Sequence, residues 1–92
     1  MPPFTVVWAR IVANADQEMH TISGLPFHYE MNGPNTVRII RGAMNRVVGR
    51  GQFEQAYNLG LPLDGPGVIT LLQAPAYIWG ILHDHRIRQN DW

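Results

Sequence analysis

Cysteine and lysine are absent from this 92-residue chain, and serine occurs once. Without cysteine there is no disulfide, no thiolate nucleophile, no Cys-ligated zinc and no iron–sulfur cluster. The lone Ser23 lies in a Ser-Gly-Leu-Pro turn, where a hydroxyl bonding its own backbone is the ordinary arrangement. Charge is scarce too, at 15% of residues against about 25% in ordinary soluble domains. A small domain has much surface for its volume, so this shortage predicts a partly covered exterior, most simply a homodimer. Long apolar runs are missing: none approaches the ~18 residues of a membrane span. The first 17 residues lack the basic start, apolar run and small-residue cleavage site of a secretory signal. These absences together predict no membrane association and a cytoplasmic location.

What is present reads as globular. Apolar residues make up 46%, and nine glycines and seven prolines punctuate the chain. Ninety-two residues without an internal repeat or a dividing linker predict one compact domain, 1–92. A chain this short buries roughly 60–65% of the surface exposed when it unfolds, enough for one modest core. After Pro2-Pro3, the residues Phe4, Val7, Trp8, Ile11, Val12 and Ala15 follow helical spacing. From Glu18 the period changes. A turn at "SGLP" precedes Phe27, Tyr29 and Met31 in alternation, and "NGPN" precedes Val37 and Ile39. Burial of both apolar sets together requires a loop of three or five residues around Gly33, with His28 and Arg38 facing the other way.

A third short strand, Arg46 to Gly49, follows the bend at Gly42–Asn45. "QFEQAYNL" predicts a short helix opened by Gly51 and closed by Gly60. "LPLDGPG" reads as a loop, and "VITLLQ" as a short strand or the approach to a last helix. That helix begins at Pro75, whose missing N–H costs nothing in a first turn. It buries Tyr77, Ile78, Ile81 and Leu82 and ends near His83. The predicted architecture is α+β: an N-terminal helix, a three-stranded antiparallel sheet, then two helices packed on one face.

Few chemistries survive inspection. "GRG" at 49–51 opens like a phosphate loop, but Glu54 stands where the third glycine of a dinucleotide fingerprint belongs. "DGPG" at 64–67 lacks the Lys-Ser/Thr of a nucleotide-binding loop. His83 and His85 could share a metal only with an extended backbone and a third ligand such as His20 or Asp91; their place near a helix C-terminus accounts for them without one. No metal, no cofactor and no catalytic constellation are expected. Trp8, Tyr57, Tyr77 and Trp79 read as core, whereas Trp92 must dock or hang in water.

One feature points outward. Asn35 to Phe53 holds four of the seven arginines, Arg38, Arg41, Arg46 and Arg50, and no acid, in a chain of zero net charge. Alternation turns Arg38 away from the core and sets Arg46 and Arg50 on one side of the third strand. Arginines on the open face of a β-ribbon can fork onto phosphates or guanine edges. Asn45 and Gln52 could add hydrogen bonds. The expected function is therefore non-catalytic nucleic-acid binding, with DNA as partner. The alternative is a protein-interaction or self-assembly module, in which these arginines only wet a sheet face and guard an edge.

Overall fold

The computed structural model describes residues 1–59 and 74–92. Helix α1, Phe4–Ala13, starts behind Pro3 and buries Phe4, Val7, Trp8 and Ile11, four members of the predicted stripe. Its C-terminal end is closed by side chains. Asn14 Nδ2 donates to the Arg10 carbonyl at 2.8 Å. The Ala15 N–H turns to the Val12 carbonyl, and the Ile11 carbonyl accepts instead from Tyr29 Oη at 2.6 Å. Carbonyls of a last helical turn have no partner within the helix, so this bond satisfies one that would otherwise be buried and bare.

Among the described residues the sheet has four antiparallel strands in the order β1-β2-β3-β4: β1, Met19–His20; β2, Pro26–Met31; β3, Thr36–Arg41; and β4, Met44–Gly49. The expected count of three is corrected by β1, which pairs Met19 with Phe27 and His20 with Pro26. Two residues are too few to show a period, so this strand exists through its pairing alone. Between β2 and β3 the register matches expectation: Tyr29 opposes Ile39, Met31 opposes Val37, and Glu30 opposes Arg38. The loop around Gly33, whose φ is +96°, is closed by the Asn32 N–H on the Thr36 carbonyl at 2.8 Å. The β3–β4 turn is the two-residue Gly42-Ala43, because Arg41 pairs with Met44. Gly42 takes φ +57°, which a Gly-first hairpin turn demands.

Helix α2, Arg50–Asn58, begins one residue before the expected Gly51 and buries Phe53, Ala56 and Tyr57. Its closure at Gly60, the "LPLDGPG" loop and the "VITLLQ" segment lie outside the described residues. Helix α3, Pro75–His83, starts at proline as expected and buries Ile78, Ile81 and Leu82, with Tyr77 only partly covered. A further short helix, α4, His85–Arg88, is capped by Asp84, whose carboxylate accepts from the Arg86 N–H at 2.9 Å. The described helices share one buried cluster with the sheet face that bears Phe27, Tyr29, Val37, Ile39 and Val48. His28, Glu30, Asn45 and Val47 on the other face are exposed. Trp92 docks: its ring meets Tyr57 edge-on at 5.1 Å. Among the described residues no helix is long and apolar enough to cross a membrane.

Candidate functional site

Residues opposite one another in an antiparallel pair share a face, and alternate residues switch faces. Arg38 opposes Glu30 on one side and Val47 on the other, so it stands on the open face as expected. Its guanidinium is already occupied. Nη1 donates to Asn45 Oδ1 at 2.7 Å and Nη2 to Asn32 Oδ1 at 3.2 Å, while Nε lies 3.6 Å from Glu30 Oε1.

Arg46 opposes Ile39, and Arg41 follows Ile39 by two residues. Both therefore project from the helix-bearing side, at a corner the helices leave open, and both are exposed. Arg50 is the first residue of α2, with its guanidinium carbon 5.6 Å from the ring centres of Phe4 and Trp8, also on the helix side. The expected grouping of Arg38, Arg46 and Arg50 on one open face is thus corrected. The cause is the Gly42-Ala43 turn, whose two-residue length puts even-numbered residues of β4 on the core side.

The structure brings together Arg41 and Arg46, diagonal neighbours across β3 and β4, with Arg50 at the far end of β4. Among the described residues no carboxylate lies within 4.0 Å of any of the three, although Glu54 follows Arg50 by one helical turn. Asn45 opposes Ile40 on the open face and is spent on Arg38. Gln52 is half-buried in the first turn of α2.

A second feature was not assembled by sequence reasoning. A cleft of about 380 Å³ is lined by residues of β1 and its turn (His20, Thr21) and of the α3–α4 junction (Trp79, His83, Asp84, His85). His83 stacks on Trp79 with ring centres 4.2 Å apart, and its Nδ1 lies 3.0 Å from the Trp79 carbonyl. Nδ1 therefore carries the proton in the neutral ring, leaving Nε2 as a buried acceptor without a hydrogen-bond partner among the described residues. Asp84 is committed to Arg86, which donates from Nε and Nη2 at 2.8 and 2.9 Å and reaches the Glu18 carbonyl at 2.5 Å. That clamp ties β1 to the α3–α4 junction. His85 is 89% exposed, and Asp91 pairs with Arg10. Among the described residues no set of three His, Cys, Asp or Glu side chains could hold a metal. Only the chain's folding back of β1 onto α3 creates this cleft, and spacing alone carries no sign of it.

Two of these groups set an acid response. Burial lowers the His83 pKa below its usual range, the Trp79 carbonyl opposes the drop, and Arg88 adds to it. Burial would raise Asp84, but the Arg86 hydrogen bonds and charge outweigh it and hold the carboxyl below its ordinary value. Both folded pKa values lie under the unfolded ones, so each group's contribution is present above its unfolded pKa and is lost as pH falls towards the folded one. Stability should decline in two stages, first below ~6.5 and again below ~3.9. Urea midpoints measured from neutral pH downward check this: His83→Gln should flatten the first stage and Asp84→Asn the second. A parent profile without decline between neutrality and pH ~5 would refute the histidine assignment.

No protein-family model, curated protein or solved structure matches the chain.

Proposed function

We propose that the protein is a non-catalytic binding domain that grips nucleic-acid phosphates along the β4 edge, through Arg41, Arg46 and Arg50. The observation that carries this reading is their shared position: among the described residues, three guanidiniums without a carboxylate within 4.0 Å, Arg41 ending β3, Arg46 in β4 and Arg50 opening α2, all on the helix side of the sheet. Arg46 and Arg50 are separated by roughly 13 Å of chain at ~3.3 Å per residue, a span over which a backbone presents several phosphates. Arg38 is left out of the grip, because Glu30 and two asparagines already satisfy it.

Such contacts act by releasing counterions, so affinity should fall with salt at a slope near −0.9 per phosphate neutralised. Three contacts give a slope of about −2.7. Fluorescence anisotropy with labelled duplex DNA at a series of salt concentrations measures it. Arg41→Ala combined with Arg46→Ala should reduce the slope by about 1.8, while Arg38→Ala leaves it unchanged. No binding at low salt, or a larger loss from Arg38→Ala than from the double variant, overturns the proposal.

A further inference from the structure

We propose that Asn32 is a site of spontaneous covalent modification, where its side-chain amide is lost to attack by the Gly33 nitrogen and Arg38 assists the step. The inference does not depend on the nucleic-acid reading. Among the chain's asparagines, Asn14, Asn32, Asn35, Asn45, Asn58 and Asn90, only Asn32 precedes a glycine. A side chain on the following residue crowds that residue's nitrogen, whereas glycine lets another group approach it closely. Gly33 is needed here for a separate reason too, because its φ of +96° lies in the left-handed region.

The loop leaves the reacting groups open. Asn32 and Gly33 are both exposed, and a Cβ built at Gly33 would meet nothing within 4 Å, so water and base have free access. Among the described residues the Gly33 N–H donates no hydrogen bond, which leaves its nitrogen uncommitted. The groups around it are tied down: the Asn32 N–H donates to the Thr36 carbonyl at 2.8 Å, and Trp8 Nε1 donates to the Pro34 carbonyl at 3.2 Å. Because nucleophile and amide belong to adjacent residues, ring closure needs no encounter between separate molecules.

Arg38 supplies the electrophilic half. Its Nη2 donates to Asn32 Oδ1 at 3.2 Å, the oxygen on which negative charge gathers when the amide carbon becomes tetrahedral. A cationic donor already aimed at a developing oxyanion lowers the barrier to forming it, and an arginine is effectively always charged. The step balances without oxidant or reductant. Hydroxide takes the Gly33 N–H proton, and the nitrogen bonds to Asn32 Cγ. The Cγ–Nδ2 bond then breaks and releases ammonia, which takes a proton from water. Water opens the resulting cyclic imide at either carbonyl. One opening leaves an aspartyl residue, whose carboxylate stands beside Arg38 in place of the amide. The other leaves an isoaspartyl residue, with an extra methylene in the main chain of a loop that Asn32 and Thr36 close. Either product adds one negative charge to a chain of zero formal net charge.

Incubation of the full chain at mildly alkaline pH, followed by peptide mapping with mass spectrometry, should show amide-to-acid conversion at Asn32. The rate should rise with pH, while Asn14, Asn35, Asn45, Asn58 and Asn90 stay intact far longer. Chromatography should separate two products of equal mass. Arg38→Gln should slow the conversion at least about threefold, less than the ~10²–10³ of an enclosed oxyanion site because this one is open to water. Arg38→Lys should restore part of the rate, and both variants should keep the parent's circular dichroism spectrum. A purely structural role for Arg38 predicts the opposite sign, since a loosened loop closes the ring more readily. No conversion at Asn32, equal conversion at another of the asparagines, or an Arg38→Gln variant that converts as fast as the parent or faster overturns the proposal.

Discussion

Replacing Gly80 with alanine should lower unfolding stability by about 2 kcal/mol, although alanine is the better helix former. Gly80 sits inside α3, where intrinsic propensity alone favours alanine by ~1 kcal/mol. Tertiary contact opposes this. A Cβ built at Gly80 would stand 2.3 Å from the His20 carbonyl oxygen and 3.2 Å from a ring carbon of Phe27. The first neighbour is backbone and cannot rotate away, so α3 and β1 must separate. Overpacking of this kind typically costs ~1–3 kcal/mol and occasionally more. Moving β1 also strains the Arg86 clamp on Glu18. Gly51 is the control, since it lies in α2 and a Cβ there meets nothing within 4 Å; Gly51→Ala should be neutral or slightly stabilising. Urea denaturation reads both as shifts in midpoint at constant slope. A Gly80→Ala variant as stable as the parent would mean that helix and strand do not approach so closely.

Tyr29→Phe should cost about 2 kcal/mol through loss of a single oxygen. The ring is fully buried and phenylalanine keeps its packing, so the effect isolates the hydrogen bond to Ile11. What remains is a buried carbonyl at the end of α1 with no donor, and an unsatisfied buried acceptor costs ~1–3 kcal/mol. Burial, with Asp84 adding to it, drives the Tyr29 pKa far above the ordinary tyrosine value, so the phenol remains a donor through neutral and moderately alkaline pH. Thermal unfolding followed at two wavelengths measures the loss. Equal stability of Tyr29→Phe and the parent would show that another donor, or water, can reach the Ile11 carbonyl. The acid-side decline set by His83 and Asp84 is separable from this bond, because Tyr29 does not titrate there.

Phe4, Val7, Trp8 and Ile11 were legible as a buried stripe because a helix repeats its face within four residues. The β2–β3 register was legible for a related reason: with a period of two, only one class of loop puts Tyr29 and Ile39 on the same side. Pro75 marked the start of α3 because proline tolerates a first turn and little else in a helix. The site was less accessible. Asn35 to Phe53 was visibly rich in arginine, but the side to which each arginine points depends on the Gly42-Ala43 turn, and a one-residue change there would exchange Arg46 with Val47. The occupation of Arg38 by Glu30, Asn32 and Asn45 depends on three strands at once.

Local physics thus decided the class of each longer element in this chain: covalent limits on proline and glycine, and burial at a helical or pleated period, act within a few residues and are written in order along it. The folded arrangement decided β1, the His83–Trp79 cleft, the Arg86 clamp and the division of arginines between two sides of the sheet. The cleft and the clamp rest on groups far apart in sequence, such as Glu18 with Arg86 or Gly80 with His20, while β1 and the arginine division rest on strand pairing across turns. Their meeting follows from helix–sheet packing distances and strand register, which no short window of residues contains.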